Sequence, residues 1–372
     1  MLLPIEHKSR FHVPPGGPYL LAHSAGCLPT QAAATLEQEL LDPWRQAGGN
    51  AWGSWLRSID GFRDLLSQLF GGRPSEWTPQ SSVSGGIFRY LSGLPAHEGK
   101  SVILASQEAF PSVLYALQGL ERIGLRLELV EGDPSQLASW SRAGDADVAA
   151  VVLMHVHSNS GRLSPIEAIT EIAHAAGAAV VVDIAQSGGV VPIEVGRWNA
   201  DAVAGTSLKW LCGGPGGCFL WTNPKTVGHI EPMERGWFSH ADPFEMDPRN
   251  FRFAPDARRF WGGTPAIAPY VTAIAGMRTI QSIGIDAIAR HNNALKLRLL
   301  DAVPGLAARG IENGSQGGTL CLDLGTGSEA ALTKAGAALD RRGSVLRLSL
   351  AAWNDADDVD LLADALRTII PD

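Results

Sequence analysis

Only six of the 372 residues are lysines, and Lys209 has the least lysine-like surroundings of them. Leu208 and Trp210 flank it, and Cys212-Gly-Gly-Pro-Gly-Gly217 follows. A lysine is normally solvated, whereas one set among large apolar side chains loses its proton more easily. It can then attack a carbonyl carbon and afterwards act as a base. The glycines let other backbone approach it closely. Upstream, Ala179-Val-Val-Val-Asp183 is an apolar run ending in a carboxylate, and Asp201–Thr206 is another run leading into Lys209. A carboxylate at the end of a strand beside such a lysine suits the ring nitrogen of a pyridine cofactor.

Such a cofactor also needs a phosphate cradle and a flat group against its ring. Gln80-Ser-Ser-Val-Ser-Gly-Gly86, ahead of a helical stretch at Ile87–Leu94, brings hydroxyls and backbone N–H groups to a helix start. Phe110, in Glu108-Ala-Phe-Pro-Ser112, follows a strand-like run and can offer its face. Lysine, aspartate, hydroxyl cradle and aromatic ring together point to pyridoxal 5'-phosphate (PLP).

Other motifs carry less. Gly93–Ser101 reads GLPAHEGKS, near a nucleotide-binding loop, but it has one residue too many between its glycines and precedes a strand where a helix is required. His155 and His157 stand two apart on one strand face and should line a pocket at the strand's end; no third ligand is placed for a metal. Cys27, Cys212, Cys218 and Cys321 form no CxxC pair, as expected for reduced thiols in a cytoplasmic protein.

The elements that must position these residues alternate. Strands are expected at Ser101–Gln107, Leu125–Glu131, Val148–His157, Ala178–Ile184, Asp201–Thr206 and Cys218–Thr222. Helices are expected at Pro111–Ile123, Pro134–Ala143 and Pro165–Ala176, the last with Ser164 as N-cap and Glu167 completing a capping box. This is an α/β pattern with a mostly parallel sheet. From the Pro- and Gly-rich Asn250–Pro269 onward the rhythm changes: long helices at Ala266–Ser282 and Ile285–Ala302, then Thr319–Leu324, a helix at Glu329–Asp340, a strand at Ser344–Leu350 and a helix at Asp355–Ile369. Net charge is −8, with no basic cluster for phosphates, so nucleic acid is an unexpected partner. The apolar runs are too short to cross a bilayer.

The segments Ala109-Phe-Pro-Ser-Val-Leu-Tyr-Ala116, Val156-His157 with Ser160-Gly161, Asp183-Ile-Ala-Gln186, Ser207-Leu-Lys209, Gly236-Trp-Phe-Ser-His240, Gly263-Thr-Pro-Ala-Ile267 and Ser344-Val-Leu-Arg347 resemble the fold-type-I PLP enzymes of the class V aminotransferase group, and most of all kynureninase. The resemblance runs from about Tyr19 to the C-terminus. It implies a PLP-dependent transferase fold of type I: an N-terminal segment (1–50) packing on the small domain, a large PLP-binding domain (51–262) with a seven-stranded, mostly parallel sheet, and a small α+β domain (263–372). It implies Lys209 as the imine-forming catalytic lysine and Asp183 as the partner of the pyridine nitrogen. Phe110 would stack on the ring, while Ser81, Ser82 and Trp237 would hold the phosphate, joined by Thr264 from a second subunit. Ser158, Gln186 and Asp201 would sit beside the cofactor. Arg347, with Ser24, would bind the substrate, Arg347 taking its α-carboxylate.

Four positions depart from the kynureninase pattern: Gln186 replaces a His, Leu208 a Tyr, Val113 an Asp and Thr264 an Asn. The expected activity is a kynureninase-like hydrolase or lyase acting on an amino-acid side chain. The alternatives are another class V reaction (aminotransferase, epimerase or C–S lyase) or a non-catalytic protein of the same fold. The Arg341-Arg342-Gly343-Ser344 segment lacks the cysteine that a desulfurase needs there. The resemblance also implies a homodimer with shared active sites.

Overall fold

The computed structural model describes residues 2–95, 99–309, 317–325 and 327–370. Its main sheet has seven strands: β1 (Trp77–Gln80), β2 (Val102–Ser106), β3 (Arg126–Val130), β4 (Val148–Met154), β5 (Ala179–Asp183), β6 (Ala202–Thr206) and β7 (Cys218–Thr222). Their order is β1-β7-β6-β5-β4-β2-β3. Only β7 runs antiparallel, to β6 on one side and β1 on the other. β2, β6 and β7 are buried throughout, as strands covered on both faces must be.

Alternation sorts the side chains between two cores. Val102, Leu104, Val180 and Val182 face α1 (Trp52–Phe70), α4 (Ile166–Ala175) and α5 (Ala268–Ile283). Ile103, Ala105 and Val181 face α2 (Val83–Leu91) and α3 (Pro111–Gly119). From β2 the chain steps outward to β3, then crosses back to β4, β5 and β6. The loops after β2 and β4 therefore diverge at the C-terminal edge of the sheet, where open α/β sheets form their binding crevice.

The smaller unit is an antiparallel sheet of β8 (Thr319–Asp323), β9 (Asp340–Arg342) and β10 (Val345–Ser349), in the order β8-β10-β9. It packs on α6 (Ile285–Ala302) and α7 (Ala356–Arg367) around Leu295, Leu299, Leu346, Leu348, Leu362 and Leu366. Asp355 and Asp358 close a capping box at the start of α7.

Several expectations need correction. The seventh strand, β1, lies in a stretch that carries Pro79, which an edge strand tolerates because one side of its ladder is free. α5 packs on the large core through Tyr270, Val271, Ile274 and Met277, as does Ile288 at the start of α6, so the change of core falls within α6, between Ile288 and Leu295. The N-terminal segment is divided as well. Tyr19 and Leu21 bridge to Ala338 and Ser349 of the small domain, but Phe11, Ala22 and Cys27 join the large core. Ser164 does not cap α4; its hydroxyl donates to the Met154 carbonyl at 2.8 Å. The Pro134–Ala143 stretch forms a 3-10 helix over Leu137–Gly144. The helix expected to end at Asp340 spans only Glu329–Lys334 and stops before Gly336, at φ 85°, which leaves Asp340 to begin β9.

Candidate active site

The crevice at the C-terminal edge holds a cavity of about 360 Å³. The connections that follow β1, β2, β4, β5 and β6 deliver its walls. Ser81, Ser82 and Ser84 come from the start of α2, Phe110 and Val113 from the loop after β2 and the first turn of α3, and Ser158 from the turn beyond β4. Asp183 and Gln186 come from the end of β5, and Leu208 and Lys209 from the turn after β6. The small domain adds Arg342 and Arg347, and the N-terminal segment adds His23 and Ser24.

Asp183 is the last residue of β5, in register with Met154 and Ala204 on its two parallel neighbours. It is 7% exposed and accepts the Ala185 N–H at 2.7 Å. Burial pushes its carboxyl up, while that hydrogen bond and the charge of Lys209 pull it down. Burial pushes the Lys209 ammonium down; Asp183 opposes this, and Arg347 and Arg342 add to the lowering. Burial thus makes Lys209 give up its proton more readily than a solvated lysine, and the free amine is the form that attacks carbonyl carbon. Its turn is clamped from the N-terminal segment, where the Gly26 N–H donates to the Leu208 carbonyl at 2.8 Å.

The Phe110 ring is 45% exposed, and the charged heads of two cavity residues approach it. Lys209 Nζ lies 5.9 Å and the Arg342 guanidinium carbon 5.6 Å from its centroid. Ser82 is the N-cap of α2, its Oγ accepting the Gly85 N–H at 3.0 Å. The helix thus presents its positive end to the cavity, flanked by the hydroxyls of Ser81 and Ser84. Gln186 donates through Nε2 to the His23 carbonyl at 3.2 Å, but its Oε1 is buried without a partner. A buried amide oxygen left unbonded is costly and awaits a donor.

Arg347 is 5% exposed. Its Nε donates to Asp340 Oδ1 at 2.8 Å and its Nη2 to Asp340 Oδ2. Asp340 Oδ1 also lies 2.8 Å from His23 Nε2. Asp340 lies opposite Arg347 in the antiparallel register of β9 and β10. Burial works against its charged form, but His23 and Arg347 overcome this and hold its carboxyl well below the usual range. Arg342 Nη1 donates to Ser158 Oγ at 3.0 Å and Asn159 Oδ1 at 3.3 Å. Arg347 Nη1 is 3.5 Å from the Ser158 carbonyl. Ser158 therefore serves the two arginines.

Three residues named for the site lie outside this chain's own cavity: Asp201, Trp237 and Thr264, the last expected from a second subunit. Asp201 immediately precedes β6, at the opposite end of the sheet from Asp183, where it accepts the Val180 N–H at 2.8 Å and lies 2.9 Å from His174 Nε2. A residue that starts a parallel strand cannot reach a site at the strands' C-terminal ends. Trp237 donates to Thr264 Oγ1 at 3.2 Å and packs edge-on against Trp52. Neither Trp237 nor Thr264 lines this cavity; Thr264 is exposed.

His155 and His157 also miss it. Alternation gives the cavity Met154, Val156 and Ser158. His155 is hydrogen-bonded to Ser187 at 2.9 Å and packed on Trp198, while His157 reaches Ser164 at 2.7 Å. No group of three His, Cys, Asp or Glu suited to a metal occurs among the described residues, and no described helix is long and apolar enough to cross a membrane.

Sequence reasoning missed His23, Asp340 and the role of Arg342. The signal for the last two was available in part: two residues apart on a short strand, they share a face.

The residues fit PLP. An aromatic ring stands open, an amide oxygen lacks a partner, a helix start faces inward, and a buried acid accompanies a lysine inclined to lose its proton. Comparison with known proteins agrees. The family described as class V aminotransferases matches residues 87–362. The chain is 31% identical over 306 residues to a kynureninase of Deinococcus radiodurans, covering 78% of this chain and 72% of that one. It is 28% identical to a kynureninase of Pseudomonas fluorescens, covering 77% and 71%. Among solved structures, a cysteine desulfurase from Thermococcus onnurineus superposes with a TM-score of 0.84 at 19% identity, over 100% of this chain and 98% of that one. The cystine C–S lyase C-DES, bound to cysteine persulfide, superposes with 0.81 at 22% identity, over 95% and 98%. At these identities the structures speak to the fold alone.

Proposed function

This chain belongs to the class V aminotransferase family, with PLP as its cofactor, and from that premise we propose that it is a kynureninase-like hydrolase that cleaves an amino-acid side chain between Cβ and Cγ. The observation that carries the reading is the pairing of Lys209 with Asp183 in one cavity that two arginines also enter. The kynureninase relatives favour the side-chain cleavage.

Bound here, PLP supplies an aldehyde that condenses with amines and a ring that draws electrons away from the substrate's Cα. The chain's residues do the rest. Asp183 would face the pyridine nitrogen and keep a proton on it. Lys209 would hold the cofactor and carry protons on Nζ. Phe110 would cover one ring face, the start of α2 with Ser81 and Ser82 would take the phosphate, and Gln186 would offer its amide. Arg347 would take the α-carboxylate on the edge that Asp340 leaves free, with Ser24 nearby. Met154, Val156, Val113 and Leu208 form an apolar wall that limits water near Cα. Net hydrolysis adds hydroxyl to the acyl carbon at Cγ and a proton to Cβ, leaving alanine.

A desulfurase reading is disfavoured. Cys321 lies within β8, its thiol is pushed up to about 12 by burial, and a thiol so seldom ionised is a poor nucleophile. One observation favours a second reading, transamination or epimerisation: Val113 and Leu208 place apolar surface where a hydrolase of this family has polar side chains. We also propose a homodimer in which Thr264 and Trp237 serve the partner's site.

Alanine is the diagnostic product. The holoenzyme given amino acids that carry a ketone at Cγ, L-kynurenine among them, is expected to release alanine, with anthranilate from L-kynurenine. A keto acid or racemised amino acid with no alanine would establish the second reading.

A further inference from the structure

Three cations line the cavity, and two of them are matched. Lys209 has Asp183 beside it, and Arg347 is gripped by Asp340. Arg342 forms no ion pair with any carboxylate among the described residues. Its two hydrogen bonds are both through Nη1, to the neutral oxygens of Ser158 and Asn159, its guanidinium lies over the Phe110 ring, and Nε and Nη2 donate to no protein group among the described residues. Glu108, the remaining acid of the lining, feels Asp133 and Arg162 as its charged neighbours. Arg342 is half-buried; Asp340 is the carboxylate whose charge favours it, but Asp340 is already gripped by Arg347 and His23, so one edge of the Arg342 guanidinium is left free to receive an anion.

The place of Arg342 says which anion. It lies at the Arg347 end of the cavity, since Ser158 contacts both arginines and β9 pairs with β10. The phosphate cradle belongs to a different wall, at the start of α2. Arg347 accounts for the α-carboxylate. An α-amino acid held there therefore directs its other end to the second guanidinium.

We infer that Arg342 receives an acidic group on the substrate's side chain, so that the substrate class is α-amino acids ending in a second carboxylate or an isosteric anion. The inference rests on the reading of the chain as a PLP enzyme of amino acids and narrows it. The apolar Val113 and Leu208 then border the middle of the side chain, and Arg342 receives its end.

Matched pairs test it: L-glutamate against L-glutamine and L-aspartate against L-asparagine, titrated into holoenzyme while the absorbance of bound PLP is followed. In each pair shape is nearly constant and only the terminal charge changes. The wild type is expected to bind at least one acid about tenfold or more tightly than its amide, the yield of a charge-assisted contact. Arg342→Gln should abolish that preference while leaving amide affinity nearly unchanged, and Arg342→Lys should keep part of it. Equal affinity for acid and amide in both wild-type pairs, or full preference retained in Arg342→Gln, would overturn the inference and leave the proposed function standing. No spectral response to any amino acid would overturn both.

Discussion

Arg347 enters the cavity with one edge already taken: Nε and Nη2 both donate to the carboxylate of Asp340, directly opposite on β9. A guanidinium has two edges able to take a carboxylate side by side. With the side edge fixed by Asp340, the end-on edge is the one left for substrate, already oriented. Asp340 is thus a positioning residue. His23 Nε2, 2.8 Å from Oδ1, ties this arrangement to the N-terminal segment.

Asp340→Asn keeps the shape and removes the charge that holds Arg347. KM for amino-acid substrates should rise about tenfold while kcat changes much less, the signature of lost ground-state binding. A fall in kcat with unchanged KM would contradict the positioning role. Asp340 also predicts a pH effect. Its carboxyl is held below the ordinary range in the folded chain, so its stabilisation is complete above the unfolded value and fades as pH falls below about 4. The thermal midpoints of wild type and Asp340→Asn should converge in acid.

Gly26 is a steric requirement of the lysine turn. A Cβ there would lie 2.2 Å from the Lys209 carbonyl oxygen and 2.7 Å from Cys212 Sγ. Gly26→Ala must displace the turn at a cost of about 1–3 kcal/mol. The unfolding midpoint should fall, and kcat should drop by at least about tenfold because the reacting amine is moved. Wild-type kcat in the folded variant would show that the turn is not held from this side.

Phe110 offers an exposed aromatic face in the cavity, which a core phenylalanine would not. Phe110→Ala should weaken PLP binding by about two- to tenfold, the range of a stacking contact. Because the ring is half-exposed, stability of the cofactor-free chain should barely change. Spectral titration with PLP and a thermal melt check both halves.

His155 and His157 are buried and neutral, and burial pushes each imidazole down to about 4. Between the ordinary value near 6.5 and about 4, the unfolded chain binds protons that the folded chain refuses. Stability should therefore fall as pH drops from about 6.5 to 4, by on the order of 3 kcal/mol for each residue at the lower end. Urea midpoints across that range should slope accordingly, and His157→Gln should flatten the slope. A slope unchanged in that variant would contradict the assignment.

What the sequence disclosed follows from the physics of each element. Five of the seven sheet strands announce themselves because strands buried on both faces must be apolar runs, the edge strand β3 shows instead by alternation, and Lys209 and Asp183 stand out as charges at or just past the ends of such runs. Trp77–Gln80 was hidden by its brevity and by Pro79. The place that the resemblance implies for Asp201 fails on strand direction: in a parallel sheet, the acid that precedes a strand and the acid that ends its neighbour are at opposite ends. His23 is silent because its contacts with Asp340 and Ser349 span hundreds of residues, whereas Asp340 meets Arg347 only seven residues on, across a strand pair that a helical reading of the segment hides. The apolar residues of α5 reveal in the sequence that it is buried, not against what, and its packing on the large core is visible only in the structure.

The central claim is that Lys209 is the residue that holds PLP. Borohydride reduction of the holoenzyme, followed by proteolysis and mass mapping, tests it with no assumption about substrate. The account predicts a reduced pyridoxyl group on the peptide containing Lys209, and none in Lys209→Ala. Lys296 is the informative competitor, since it is buried and its ammonium is pushed down to about 8, yet it bonds the Gly317 carbonyl from within the small domain. A label on Lys296, or one that persists in Lys209→Ala, would contradict the account.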